Sequence, residues 1–152
     1  HYDLGVAYKE MGLLPDAIHE FELASRDPTR ECVCQSMIGL IQMQMGHVDG
    51  AIDAFIRGLH AHDRTTEQEL ALTYEIGSAY EMRENTEQAL YYFQRVARTD
   101  PDYGDPRGAV ATRIKQLEPA PKAAPAKAVG AELVLDDFDS AFDDLLGGGK
   151  LP

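Results

Sequence analysis

A repeated unit limits what this chain can fold into more than any other feature. Leu4-Gly5 and Tyr8, followed by Gly12, Ala17, Phe21 and Ala24, return as Ile38-Gly39 with Gly46, Ala51, Phe55 and Gly58. They return again as Ile76-Gly77 and Tyr80 with Ala89, Phe93 and Val96. The first step is 34 residues and the second is 38. A period in this range belongs to stacked solenoid units rather than to a closed globule around one site. The expected function therefore moves from chemistry to binding.

Charge narrows the partners. The chain has 14 basic against 26 acidic residues, a net charge of −12. Such a field repels phosphate backbones and anionic lipid, so neither nucleic acid nor a membrane surface is an expected partner. No apolar run approaches the roughly 20 residues of a membrane span. Cys32 and Cys34 lie one residue apart, too close to bridge within a helix, and suit a reducing, cytoplasmic compartment. The chain opens on His1 partway into a repeat, so the array is expected to continue ahead of it.

Each unit reads as two antiparallel helices. In the first, Gly12-Leu13-Leu14 makes the turn and Pro15 sits in the first turn of the second helix, where its missing N–H costs nothing. That helix is expected to stop at Arg26-Asp27-Pro28. Repeat two runs from about Arg30 to Met45, turns at Gly46-His47, and returns from Val48 to Ala61. Repeat three opens near Thr66, with Thr65 or Thr66 as its cap, turns at Glu84-Asn85-Thr86, and ends at Thr99-Asp100-Pro101. The units span 1–28, 29–63 and 64–101. The four extra residues around His62-Asp63-Arg64-Thr65 amount to about one helical turn and should lengthen the flanking helices or their loop. A capping helix is expected within 102–118, following Asp105-Pro106 and reaching about Leu117. On it, Val110, Ile114 and Leu117 would cover repeat three, while Arg107, Arg113, Lys115 and Gln116 face solvent.

Composition changes abruptly after that. Residues 119–131 are almost only Pro, Ala and Lys and should form a flexible, semi-extended linker. In the following segment, 132–152, Leu135, Phe138, Ala141, Phe142, Leu145 and Leu146 gather on one helical arc. Aspartates and Ser140 fill the other. An acidic amphipathic helix this short is not stable alone; it reads as a docking peptide working through Leu135, Phe138, Phe142, Leu145 and Leu146. The competing reading is a cap that folds back on the chain's own repeats, either closing the stack or occupying and regulating the groove. An all-acidic polar face argues against membrane binding.

The small and large positions of the three units resemble the tetratricopeptide repeat (TPR) family: Leu-Gly and Tyr in the first helix, Ala-Phe-Ala in the second, and a closing Asp-Pro. Gln42 stands where the first-helix aromatic is usual. The resemblance covers residues 1 to about 101. It implies an all-α, right-handed superhelix of antiparallel helix pairs, here with a C-terminal capping helix and a tail. It further implies a non-enzymatic scaffold or adaptor that binds proteins or peptides in the concave groove of its first helices. Phe21, Phe55 and Phe93 would fill the gap to the next unit. Carried onto this chain, the groove positions are Asp3, Val6, Lys9 and Glu10; Ser36, Met37, Leu40 and Met43; and Tyr74, Glu75, Ser78 and Glu81. The carboxylate-clamp positions of one TPR subclass fall on Tyr2, Val6, Met37, Ala71 and Glu75. With no basic residue among them, a chaperone-tail receptor is not expected. The spelling of the repeats is similar to that of large bacterial multi-TPR proteins, some of which organise cell poles and motility machinery.

Rival chemistries have little support. Cys32, Cys34, His60 and His62 lack the turn spacing of a structural zinc site, so no metal or other cofactor is expected. His19 with Glu20 and Glu22 has no nucleophile or oxyanion donor at compatible spacing. Gly147-Gly148-Gly149-Lys150 lacks both the upstream glycine and the Ser or Thr of a phosphate loop. The remaining alternative of another class is that these repeats are the regulatory end of a larger enzyme.

Overall fold

The computed structural model describes residues 1–119. Among them are helices α1 (Tyr2–Glu10), α2 (Leu14–Ala24), α3 (Glu31–Gln44), α4 (Val48–Leu59), α5 (Thr66–Met82) and α6 (Thr86–Thr99). These are followed by a short antiparallel ribbon, β1 (Gly104–Asp105) and β2 (Gly108–Ala109), and by α7 (Val110–Leu117). Each helix packs against the next along the chain through α6, and α7 packs against α6. First helices also touch across a repeat, α3 against α5.

The three first helices end in one way. Leu13, His47 and Asn85 donate backbone N–H bonds of 2.9, 2.8 and 2.9 Å to the carbonyls of Tyr8, Gln42 and Tyr80. This closure needs a left-handed residue just beyond the helix, a position that favours glycine. Gly12 and Gly46 supply it at φ +80° and +82°, and repeat three uses Glu84 at φ 59°.

Repeat three begins at a full capping box. The Thr65 hydroxyl accepts from Gln68 N–H (3.0 Å), and the Gln68 side chain accepts from Thr65 N–H (2.8 Å). The extra turn of sequence is taken up here: α5 has 17 residues against 14 in α3.

Each phenylalanine rests on the glycine of its own repeat. A Cβ at Gly39 would stand 2.3 Å from the Phe55 ring, at Gly77 2.7 Å from Phe93, and at Gly5 3.0 Å from Phe21. Phe21 also shares a cluster with Cys34, Ile38 and Ile41, so the ring joins its own unit to the next. Where repeat three stacks Tyr80 on Tyr92 (centroids 5.7 Å apart), repeat two places Gln42 against Gly50 and bonds it to His47.

The capping segment differs from the expected single helix. Pro106 and Arg107 form the tight turn of the β1–β2 ribbon, and the helix begins only at Val110. Asp, Pro and Gly at positions one, two and four favour such a turn. The Asp105 carboxylate fixes it by accepting from Arg107 N–H at 2.8 Å. Gly108 follows at φ +138°. Val110 is fully buried among Tyr74, Ala89, Phe93 and Val96, and Ile114 and Leu117 pack onto the same cluster. Lys115 and Gln116 are exposed, but Arg113 is not on the solvent face: its side chain is only 11% exposed.

Candidate protein-binding groove

The first half of the expected groove is accessible. On α1, Asp3 and Glu10 are exposed and Val6 and Lys9 half-buried. On α3, Ser36, Met37 and Met43 are half-buried and Leu40 is 40% exposed. Val6 and Met37 also pack on the core around Phe21 and Ile38, which fixes their bases while leaving part of each side chain to solvent. Ser36 turns its hydroxyl back onto the Cys32 carbonyl (2.9 Å), so it presents little unsatisfied polarity. Arg30, from the loop ahead of α3, lies over the Tyr2 ring at 5.1 Å. The expected positions on these two helices thus offer partly exposed, adaptable methionine and leucine on α3 and the charged Asp3, Lys9 and Glu10 on α1.

Repeat three is different. Tyr74 and Ser78 are buried, at 1% and 5% exposure. The Tyr74 hydroxyl donates to the Gly108 carbonyl (2.9 Å), with Asp105 at 3.2 Å, and accepts from Arg113 Nη1 (2.8 Å). The guanidinium carbons of Arg107 and Arg113 both stand over its ring, at 5.1 and 5.3 Å. Arg113 also covers Phe93 at 4.8 Å. Glu75 accepts a two-pronged bond from Arg107 (2.7 and 3.1 Å), and Glu81 pairs with Arg113. The four residues expected to line this end of the groove are thus buried or paired, three of them directly with the cap. The acidity expected there is largely offset by two arginines.

The charges in this network sustain one another. Burial disfavours the Arg113 cation, but bonds to Glu81 and Tyr74 outweigh it and raise its pKa. Arg107 is raised in the same way by Glu75 and Asp105. Burial works against the Asp105 carboxylate, yet the bonds from Arg107 hold it below the usual range. Burial pushes the Tyr74 hydroxyl up, so it stays a neutral donor.

Other candidates stay apart from the groove. Cys32 and Cys34 are buried free thiols whose pKa values are raised first by burial, which makes them poor nucleophiles. Among the described residues no group of three or more His, Cys, Asp or Glu side chains is placed to hold a metal. No helix among them is long and apolar enough to cross a membrane. An open cleft of about 610 Å³ lies between the start of α4 and the α5–α6 turn, lined by Asp49, Asp53, Tyr80, Arg83 and Glu84 among others. None of the expected groove residues lines it. The docking residues Leu135, Phe138, Phe142, Leu145 and Leu146 lie outside the described residues.

Comparisons with known proteins bear on the fold. A family profile described as "Tetratricopeptide repeat" matches residues 71–103, which hold most of α5 and all of α6. The chain is a TPR solenoid. Among solved structures, it is similar to one titled "Crystal structure of MamA protein", with a TM-score of 0.61 and 17% identity. That match covers 99% of this chain and 75% of the other. At this identity it speaks for the TPR fold alone. Comparison with curated protein sequences returned no match. The TPR repeats support a role in protein–protein interaction.

Proposed function

We propose that this TPR chain is a non-enzymatic adaptor that takes a protein or peptide segment across α1 and α3. The observation that carries this reading is the contrast along the groove. Val6, Met37, Leu40 and Met43 are partly exposed, whereas Tyr74, Glu75, Ser78 and Glu81 are buried or paired. A ligand with apolar anchors suits the methionines and leucine of α3, since burying them against it removes apolar surface from water. The test is to display random peptides against the folded chain and titrate the best binder. Leu40→Glu with Met43→Glu should reduce its affinity at least tenfold with little change in thermal stability. Unchanged affinity would overturn the reading.

A second element of the same proposal is the acidic amphipathic segment carrying Phe138 and Phe142, which the sequence pattern makes a docking peptide for another partner. The reading in which it occupies its own groove is opposed by charge. Residues 1–119 hold 11 Lys and Arg against 20 Asp and Glu, and the remainder holds 3 against 6. Like-charged partners repel, most strongly at low salt. Phe138→Ala with Phe142→Ala should abolish capture of that partner and leave unfolding of the repeats unchanged. A large fall in melting temperature would favour self-docking instead. A cytoplasmic setting rests on the reduced thiols, and a place in cell-pole or motility organisation rests on the spelling of the repeats alone.

A further inference from the structure

With Gly5 and Gly77 superposed, Tyr2 matches Tyr74 and Asp3 matches Glu75. Each tyrosine carries an arginine from beyond its own repeat. Arg30 stands over Tyr2 and Arg107 over Tyr74, both 5.1 Å from the ring centroid. The stacking is the same, but the outer edges of the two guanidinium groups are not. Arg107 donates to both oxygens of Glu75 (2.7 and 3.1 Å) and to Asp105 (2.5 and 2.9 Å). Among the described residues the Arg30 side chain makes no hydrogen bond and no ion pair. Asp3, one methylene shorter than Glu75, makes no bond to it. Asp27 feels the Arg30 charge, but its carboxylate is engaged by the Thr29 N–H and hydroxyl (3.0 and 2.8 Å).

A guanidinium laid on an aromatic ring keeps its planar fork of donors at the edge, where it matches a carboxylate with two parallel bonds. The Arg107 site shows such a fork filled, in part by Asp105 from a segment outside α5. Arg30 is exposed, so a carboxylate can reach its fork from solvent. It also lies in line with the groove. Its backbone is already helical, and Arg30, Val33, Met37 and Leu40 follow at spacings of three, four and three, on one face of α3. Val33 and Met37 are half-buried and Leu40 is 40% exposed. The net charge of −12 works against a run of acids, so the fork suits one carboxylate beside apolar residues rather than an acidic tract.

We propose that Arg30, held on Tyr2, sets the specificity of the α1–α3 groove by taking one aspartate or glutamate side chain of a ligand whose apolar residues lie on Val33, Met37 and Leu40. This rests on the reading of α1 and α3 as the binding surface, and it names the chemistry of what binds there: an apolar peptide segment with a single internal acid.

The test selects peptides by display from a random library against the full chain and, in parallel, against its Arg30→Gln variant. The wild-type pool should favour one Asp or Glu beside apolar residues, and the Arg30→Gln pool should keep only the apolar residues. The best wild-type binder, made with an amidated C-terminus, should lose about fivefold in affinity when its acid is changed to the amide. That loss should vanish in Arg30→Gln, and Arg30→Lys should restore only part of it, because an ammonium lacks the fork. Pools without an acidic preference, or an acid-to-amide loss that persists in Arg30→Gln, overturn the proposal. A binder that needs a free C-terminus assigns Arg30 to a terminal carboxylate instead. A rise in peptide affinity on Phe138→Ala with Phe142→Ala assigns the contact to the chain's own acidic segment. Either result overturns the proposal. Leu40→Glu with Met43→Glu separates it from the groove reading. Binding that ignores this pair removes the groove, whereas binding that needs the pair but ignores Arg30 removes the carboxylate contact alone.

Discussion

Repeats one and three share a turn geometry, a helix-contact glycine and a phenylalanine seated on it, yet they present opposite surfaces. Repeat one leaves Leu4, Met11 and part of Val6 to solvent. Repeat three buries Tyr74 and Ser78 and ties Glu75 and Glu81 to arginines of the segment that follows it. The repeat pattern alone does not decide which helix faces are available. What packs on each repeat decides it: among the described residues Tyr103–Leu117 covers repeat three, and Leu4 and Met11 of α1 are exposed.

The largest expected difference between these regions comes from the glycine seats. Gly77→Ala places a methyl 2.7 Å from the Phe93 ring, which is itself fixed by Tyr74 and Arg113, and should cost about 2 kcal/mol. Gly5→Ala meets Phe21 at 3.0 Å beside an open face and should cost less than about 1 kcal/mol. Urea unfolding of the two variants measures this, and equal losses would remove the distinction between a tight and a loose end.

Next is the anchor of the cap. Tyr74→Phe removes one hydroxyl that bonds both Gly108 and Arg113, with an expected loss of about 1–1.5 kcal/mol. Faster hydrogen exchange in α7 should accompany it, and α1 should not change. An effect spread evenly over all helices would mean that the network stabilises the array as a whole rather than one end.

The turns give a smaller effect of opposite sign. Glu84 holds the left-handed position that Gly12 holds in repeat one. Glu84→Gly should stabilise by about 0.5 kcal/mol, because relief of backbone strain exceeds the added freedom of the unfolded chain. Gly12→Ala should destabilise by about 1 kcal/mol. Thermal melts of both variants decide the sign.

The least effect is that of acid. The folded pKa of Asp105 lies below its ordinary value of 3.8. Its contribution is therefore fully present above the unfolded value and is lost as pH falls through the folded one. As pH falls below about 4 the wild type should lose more stability than Asp105→Asn, and the excess should appear as weaker protection of the cap.

The fold was legible because the repeating Gly, Ala and Phe mark contacts that each repeat must make in the same way. Gly12 and Gly46 likewise announced their turns, and Thr65 its helix start. The closed end was harder to read. Asp105-Pro106-Arg107-Gly108 is a turn signal, but taking Pro106 as the start of a helix hid the ribbon. Arg113 could have been placed from spacing, since 110, 113, 114 and 117 fall on one helical face. Assigning every charge to solvent moved it to the wrong side. Pairings such as Arg107 with Glu75 lie more than 30 residues apart and leave no periodic trace. For that reason the expected groove ran over repeat three, where the cap now lies.

The methionines offer the most direct test of an adaptor whose groove opens on α1 and α3 and closes at α5. In the proposed groove Met37 and Met43, both half-buried, line the open part, whereas the exposed Met11 and Met82 stand outside it. Methyl-labelled methionine NMR, recorded while a display-selected peptide is titrated into the full chain, reads all of these positions in one spectrum. The account predicts saturable shifts at Met37 and Met43 with Met11 and Met82 unmoved. Shifts confined to Met11 or Met82, with Met37 and Met43 silent, would contradict it.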